Sequence, residues 1–188
     1  ILLFTNLGRV HWLKVHELPR LGRAARGKSM ANFVQLQPGE HVTTMIPIRQ
    51  FEVDRYLVMA TKQGVVKKTE LSAYANPRAG GIIALSLDEA DELIGVALTR
   101  GTEDIFLGTR EGMAIRFREE GVRPTGRAAR GVTGIRLEDG DRVVGMTSTI
   151  RLDFDFEHTR HSFADIIQGG WMTSHEPGGH WLYGADIG

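Results

Sequence analysis

The chain has 188 residues, of which 41% are hydrophobic and 24% charged, a composition that is typical of a folded globular protein and excludes an intrinsically disordered one. It contains no cysteine, which excludes disulfides, thiolate metal sites and cysteine nucleophiles. The formal net charge is zero, but residues 1–150 contain 21 Lys/Arg and 17 Asp/Glu, whereas residues 151–188 contain 2 and 6. The chain therefore divides into a mildly basic body and an acidic tail.

Three segments of the body share one pattern, in which four mostly apolar residues are followed by Thr-x-x-Gly. They are Ile1–Gly8, Leu57–Gly64 and Ile105–Gly112. Each continues into a second apolar and basic run, which is the pattern of a β-hairpin with a glycine in its turn. Because the first segment begins directly in an apolar run, we expect the chain to be part of a longer protein with residues upstream. No signal peptide is recognised, and no apolar run approaches the roughly 18 residues that would span a bilayer.

A second marker repeats with the same spacing. Arg23–Gly27 recurs as Arg127–Gly131, an offset of 104 residues that also separates the turn glycines Gly8 and Gly112. A degraded copy lies at Arg78–Gly81. The unit of about 50 residues, with roughly four short strands, is typical of a propeller blade. The sequence thus predicts an all-β, propeller-like fold with three four-stranded blades at about 1–54, 55–102 and 103–150, an incomplete disc, and an irregular, poorly ordered tail at 151–188.

One motif favours a different class of protein. Gly22–Ser29 fits the P-loop pattern G-x-x-x-x-G-K-[ST], and Asp88–Asp91 resembles a helicase acidic box, so an ATPase is an alternative. A P-loop joins a buried strand to a helix, however, and Pro19 lies where that strand should run. The second copy of the loop also lacks the Lys-Ser pair. We therefore interpret Gly22–Ser29 as an arginine–glycine loop and Asp88–Asp91 as a polar turn.

Basic residues recur at equivalent positions of the three repeats, in the arginine–glycine loops and on the second strand of each hairpin. Such a recurrence predicts a row of positive charge along one rim, suited to the phosphates of double-stranded DNA without reading its sequence. The predicted DNA-contacting residues are Arg9, Lys14, Arg23, Arg26, Lys28, Lys67, Lys68, Arg78, Arg116, Arg118, Arg127 and Arg130. No catalytic set is recognised, and a propeller that binds other proteins is a further alternative.

Several motifs in this order resemble the C-terminal domain of DNA gyrase A, and the equivalent domain of topoisomerase IV is similar. They are Gly8-Arg9-Val10, Glu17-Leu18-Pro19, the Arg-Ala-Ala-Arg-Gly loops, Gly64–Thr69, Asp91–Val96, Gly131–Leu137 and Gly140–Val144. The resemblance covers about residues 1–150. The Gln-Arg-Arg-Gly-Gly-Lys-Gly motif that marks DNA wrapping in this family is absent from the chain and belongs upstream of Ile1.

The resemblance implies a β-pinwheel, a disc of usually six blades that exchange strands with their neighbours and wrap DNA around a basic perimeter. It further implies that the chain is a module of a type II topoisomerase, which is an isomerase found in the cytoplasm and associated with the chromosome. That enzyme is an A2B2 complex of gyrase A and gyrase B and introduces negative supercoils into DNA. The family's cleavage tyrosine and its ATP and Mg²⁺ sites lie in other parts of the enzyme. We therefore expect no catalytic residue, cofactor or metal in this chain, and no contact with a membrane.

The tail departs from the family pattern. Residues 151–188 contain four of the seven histidines, two of the three tryptophans and no lysine, and we interpret them as unrelated sequence produced by a frameshift, misassembly or rearrangement. A metal site formed by His158, His161, His175 and His180 is the alternative, although this spacing is weakly diagnostic without a cysteine or an acidic ligand in place.

Overall fold

The computed structural model describes residues 1–20, 26–78, 80–152 and 181–184. Within them the chain forms β-strands and short 3₁₀ turns and no α-helix. The strands are β1 (Leu2–Thr5), β2 (Arg9–Trp12), β3 (Val42–Ile46), β4 (Tyr56–Thr61), β5 (Val65–Glu70), β6 (Ile82–Ile83), β7 (Leu93–Thr99), β8 (Asp104–Thr109), β9 (Ala114–Arg118), β10 (Val132–Thr133), β11 (Val143–Leu152) and β12 (Trp181–Gly184). The 3₁₀ turns are Val15–Glu17, Met30–Asn32, Leu71–Tyr74 and Glu119–Gly121.

The strands form three antiparallel four-stranded sheets, with the orders β3-β1-β2-β6, β10-β5-β4-β7 and β12-β11-β8-β9. Each sheet contains the hairpin of one repeat and a third strand from the same repeat. The fourth strand of the first two sheets comes from the next repeat, since β6 pairs with β2 and β10 pairs with β5. The all-β, propeller-like fold is therefore confirmed, and neighbouring blades exchange strands as the resemblance implies.

The exchanged strands lie at the outer end of their sheets. The third strands are adjacent, because β7 packs against both β3 and β11, and β6 and β10 occupy the opposite edges of their sheets. In the third sheet β9 is at that outer edge, and no strand among the described residues pairs with its far side. At the other edge, β12 pairs with β11, so the tail contributes one strand where the sequence predicts irregular structure. Residues 153–180 and 185–188 lie outside the described residues.

Two apolar clusters fill the spaces between the sheets. Along β4 the side chains alternate between them, since Leu57 and Met59 belong to the cluster shared with the first sheet and Val58 and Ala60 to the cluster shared with the third. A strand presents successive side chains to opposite faces. The uninterrupted apolar run of β4 therefore reflects burial on both faces.

The hairpin turns are held in the same way in every repeat. The N–H groups of Gly8, Gly64 and Gly112 donate to the carbonyl of the Thr three residues earlier, at 3.0, 3.0 and 3.2 Å. A carboxylate from the turn before the third strand then binds each hairpin turn. It accepts from the Thr5 hydroxyl (Glu40, 2.7 Å), the Gln63 N–H (Asp91, 2.9 Å) and the Glu111 N–H (Asp141, 3.2 Å). Asp91 thus closes a polar turn between two strands.

The turn glycines are also where the next repeat attaches. The carbonyl of Gly8 accepts from the Ala84 N–H and that of Gly64 from the Gly134 N–H, both at 2.8 Å. Gly64 has φ +82°, and a Cβ atom there would lie 2.6 Å from the Ile135 carbonyl oxygen. The exchanged segment therefore reaches the hairpin only because the turn residue has no side chain.

This contact predicts a large loss of stability for Gly64→Ala. Gly140 provides a matched control, because its φ is also +82° and a Cβ atom there would meet nothing within 4 Å. Positive φ alone should cost Gly140→Ala about 1–2 kcal/mol, and steric overlap with the exchanged segment should bring the cost at Gly64→Ala to about 3 kcal/mol or more. Urea denaturation of both variants gives the two free energies of unfolding, and equal losses would contradict the importance of this contact.

Candidate nucleic-acid interface

The structure divides the predicted DNA-contacting residues by exposure. Seven are exposed, namely Lys14, Arg26, Lys28, Arg78, Arg116, Arg118 and Arg130. Arg9 and Arg127 are half-buried, and Lys67 and Lys68 are buried. Arg23 lies outside the described residues. The recurring positions of the sequence are therefore not equivalent in exposure.

Two of these residues, Arg127 and Arg130, lie on a loop of the third repeat at the outer edge of the second sheet. Both ends of residues 125–131 are held on β5, because the Thr125 N–H donates to the Lys68 carbonyl at 2.8 Å and Val132 pairs with Val66. The arginine–glycine loop is thus held on the neighbouring repeat, immediately before its exchanged strand. The equivalent loop of the second repeat, with Arg78 exposed, precedes β6 on the first sheet.

A segment of the second repeat anchors this loop residue by residue. The Ser86 hydroxyl donates to the Ala128 carbonyl at 2.7 Å, and the Ser86 N–H to the Ala129 carbonyl at 3.2 Å. The Arg130 Nε lies 2.7 and 2.6 Å from the two carboxylate oxygens of Asp88. These hydrogen bonds lower the pKa of the Asp88 carboxyl. Both charged groups remain exposed, so an incoming phosphate has access to Arg130 in competition with Asp88.

Lys67 is buried beneath the same loop. Its ammonium nitrogen donates to the Ala84 carbonyl at 2.5 Å and to the Arg127 carbonyl. Burial, together with the nearby charge of Arg127, lowers the pKa of Lys67 to about 7. Its ammonium group donates hydrogen bonds to carbonyls inside the protein. This arrangement does not favour the predicted contact of Lys67 with DNA.

Lys68 is also committed to an internal contact. Its Nζ lies 3.2 Å from the fully buried carboxylate of Glu119 and 4.3 Å from the centre of the Tyr56 ring. The Glu119 carboxylate also accepts from the Thr99 hydroxyl at 2.6 Å, and burial raises the pKa of Glu119. Because Lys68 belongs to the second sheet and Glu119 directly follows β9 of the third, this pair links two blades and leaves Lys68 unavailable to phosphate.

Arg9 has a similar internal role in the first sheet. Its guanidinium donates to the Gly80 carbonyl of the second repeat's loop, and its Nε lies 3.8 Å from Glu40. Arg116 and Arg118 differ, because they are exposed on the outer strand β9, whose other side chains Ile115 and Phe117 are half-buried. The exposed basic residues therefore fall on the loops and on the outer strand of the third sheet.

Two exposed arginines that stand next to a proline are not among the residues predicted from the sequence. Arg20 follows Pro19 and Arg123 precedes Pro124, and both are exposed. Arg78, which follows Pro77, is their counterpart in the second repeat. The sequence signal that could have identified Arg20 and Arg123 is a basic residue next to a proline, which occurs near the arginine–glycine loop in each repeat.

The described residues offer little support for the alternative sites. The described part of the P-loop-like motif, residues 26–29, is exposed and is followed by a 3₁₀ turn where a P-loop requires a helix. Within the described ranges, no group of three His, Asp or Glu side chains is placed to hold a metal ion. His158, His161, His175 and His180 lie outside those ranges. None of the described residues forms a helix with the length and apolar character needed to cross a bilayer.

The repeats match a known family. The sequence model of the DNA gyrase C-terminal domain, described as a β-propeller, matches residues 1–49, 55–100 and 103–149. The chain belongs to the DNA gyrase C-terminal domain family. Curated relatives include the DNA gyrase A protein of Halalkalibacterium halodurans, 51% identical over 72% of this chain and 16% of the relative, and that of Salmonella typhimurium, 44% identical over 78% of this chain and 17% of the relative. The chain thus spans about a sixth of the length of these relatives.

Solved structures show the same family fold. The C-terminal domain of DNA topoisomerase IV superposes with a TM-score of 0.73 at 36% identity, over 78% of this chain and 46% of that one. A DNA gyrase A C-terminal domain superposes with a TM-score of 0.65 at 20% identity, over 81% of this chain and 50% of that one, which supports the fold alone.

The burial of Lys67 in this gyrase-family domain predicts a pH-dependent stability. Between pH 7 and the usual lysine pKa of about 10.4, the unfolded chain binds a proton at Lys67 that the folded chain does not. The free energy of unfolding should therefore rise with pH in this range, by up to about 1.4 kcal/mol for each pH unit. Urea denaturation between about pH 7.5 and pH 9.5 tests this. Lys67→Met should remove the rise, and Lys62→Met, which keeps Lys67, should retain it. An unchanged slope in Lys67→Met would contradict the assignment.

Proposed function

We propose that this chain is a DNA-binding and DNA-wrapping module of DNA gyrase A, which contacts phosphates without sequence preference. The observation that carries the proposal is the recurrence of exposed arginines on loops that precede the exchanged strands, at the outer edges of successive sheets. Positive charge at regular steps along a curved edge suits a bent polyanion, since each contact neutralises a phosphate and releases counterions. Membership of the gyrase C-terminal domain family supports the same function.

The composition of this surface favours phosphate contact over recognition of bases. Arginine binds phosphate oxygens through two parallel N–H donors, and no helix among the described residues is available to enter a major groove. Specificity would then come from the shape and flexibility of the DNA. The proposed contact residues are exposed or half-buried arginines and lysines, namely Lys14, Arg20, Arg26, Lys28, Arg78, Arg116, Arg118, Arg123, Arg127 and Arg130.

The wider role extends beyond the chain. We propose that the rest of gyrase A, together with gyrase B, completes an A2B2 enzyme in the bacterial cytoplasm, which uses ATP and Mg²⁺ elsewhere to introduce negative supercoils into chromosomal DNA. This module would present a wrapped DNA segment for strand passage and would itself hold no cofactor. The equivalent role in topoisomerase IV is the second candidate, favoured by the superposition on that enzyme's domain. The higher identity to curated gyrase A sequences favours gyrase.

Charge reversal on the anchored loop tests the proposal. The double variant Arg127→Glu/Arg130→Glu should weaken binding to two duplexes of unrelated sequence by the same factor, because phosphate contacts are independent of sequence. The slope of log K against log salt should fall in magnitude by about 1.8, or about 0.9 for each lost phosphate contact. Fluorescence anisotropy over a salt series measures both quantities.

Arg142→Glu is the control for that experiment, with half the change in net charge. Arg142 is exposed, but its equivalents in the other repeats are Glu92 and His41, so it is not part of the recurring basic set. Its variant should retain the salt slope of the unchanged chain. The absence of salt-dependent DNA binding in the unchanged chain would refute the proposed function.

The Arg130–Asp88 pair predicts a variant that binds DNA more tightly. Asp88→Asn removes a carboxylate that competes with phosphate for Arg130. Exposed pairs of this kind are worth about 0.2–1 kcal/mol, so affinity should rise by about 1.5- to 5-fold. Glu89→Gln, the same change in charge at the adjacent exposed residue, is the control. If both variants gain equally in a salt titration, the gain reflects net charge and release of Arg130 is excluded as its cause.

A further inference from the structure

The ammonium group of Lys67 joins segments that come from two different repeats. The Ala84 carbonyl belongs to the segment that the second repeat gives to the first sheet, and the Arg127 carbonyl begins the arginine–glycine loop of the third repeat. Only 1% of the Lys67 surface is exposed. A buried amine that donates two hydrogen bonds to backbone carbonyls fixes their separation, because leaving either carbonyl without a donor carries a desolvation cost.

A related contact is present one repeat earlier. Arg9, on the second hairpin strand of the first sheet, donates to the Gly80 carbonyl in the arginine–glycine loop of the second repeat. In both cases a basic side chain of one sheet holds a carbonyl of the next repeat's loop. The two contacts lie in different sheets and start from different places in the hairpin, since Arg9 is one residue and Lys67 three residues after the turn glycine.

We propose that Lys67 is a positioning residue for DNA binding, which holds the loop of Arg127 and Arg130 on the outer edge of the second sheet with the arginine side chains directed at DNA. Lys67 does not contact DNA itself. This inference rests on the proposed function, since it concerns how that surface is ordered. Arg9 has the corresponding role for the loop that bears Arg78.

The neighbouring hydrogen bonds indicate that Lys67 can be replaced without disrupting the rest of the second sheet. The Ala84 carbonyl also accepts from the Tyr74 hydroxyl at 3.1 Å, so it retains a donor when Lys67 is replaced. The Arg127 carbonyl loses the donor that Lys67 supplies. Lys67→Met, which keeps the length of the side chain, should therefore loosen the loop while the apolar clusters on either side of the second sheet remain intact.

The test compares the salt dependence of DNA binding in variants of the full chain. Lys67→Met should weaken binding by about five- to tenfold, and its salt slope should fall to that of Arg127→Ala/Arg130→Ala, because the loop arginines lose their positions. Added to that double variant, Lys67→Met should cause no further loss. Lys62→Met removes the same charge from a surface lysine paired with Glu92 and should leave affinity within twofold of the unchanged chain.

Two results would overturn the inference. If Lys67→Met behaves like Lys62→Met, the loop does not depend on Lys67. If Lys67→Met, added to Arg127→Ala/Arg130→Ala, lowers the magnitude of the slope of log K against log salt by about a further 0.9, Lys67 contacts a phosphate directly. If instead the unchanged chain shows no salt-dependent binding, the proposed function fails, and hydrogen exchange still tests the positioning role.

Hydrogen exchange measures the loop itself. The Ser86 N–H, which donates to the Ala129 carbonyl, should exchange faster in Lys67→Met, while amides of the interior strand β4 should keep their protection. Ser86→Ala provides a second, milder variant, since the Ser86 hydroxyl donates to the adjacent Ala128 carbonyl. It should weaken DNA binding by about two- to threefold and lower the salt slope in the same direction. An unchanged slope in Ser86→Ala, together with unchanged exchange in Lys67→Met, would overturn the inference even if Lys67→Met were too unstable for binding measurements.

Discussion

The exchange of a strand between successive repeats is the constraint on which the rest of the structure depends. Gly8 and Gly64 have no side chain, so the segment from the next repeat can hydrogen-bond to their carbonyls at 2.8 Å. This contact completes the first two sheets and brings the arginine–glycine loop onto the outer edge of its neighbour. The position of a loop arginine is therefore determined by the preceding repeat as much as by its own.

The sequence predicts the sheets well because the signals for them are local. The Thr-x-x-Gly turns fall at the hairpins β1-β2, β4-β5 and β8-β9, and the polar turn at Asp88–Asp91 lies between β6 and β7. Each of these features depends on a few consecutive residues and recurs with the repeat. The strand at 181–184 was not predicted, since the tail shares no pattern with the repeats and β12 is ordered through its pairing with β11.

The burial of Lys67 and Lys68 could not be predicted from the neighbouring residues in the sequence. A lysine on a strand is normally exposed, and a Lys-Lys pair after two valines indicates a solvated edge. In the structure β5 is an interior strand between β4 and β10, and its first five residues are all buried. Their partners are distant in the chain, since Lys67 reaches a carbonyl 60 residues away and Glu119 follows a strand of another sheet. The sequence repeat shows which positions of the three repeats are equivalent. It does not show which of these positions are covered by a neighbouring blade.

The comparison of β5 with β9 separates two uses of positive charge. Counting from the turn glycine of each hairpin, Lys68 and Arg116 hold the same place, yet Lys68 is paired inside the protein and Arg116 is exposed. The difference follows from the exchanged strand, because β10 lies along β5 while β9 is an outer edge within the described part of the chain. Lys67 and Lys68 are occupied within the protein, since their ammonium groups contact backbone carbonyls and a buried carboxylate. A basic residue on the loop or at the edge can bind an external anion. In this fold the density of basic residues therefore overstates the surface that is open to an external anion, and the loop arginines proposed to contact DNA lie where Arg9 and Lys67 hold the loop backbone.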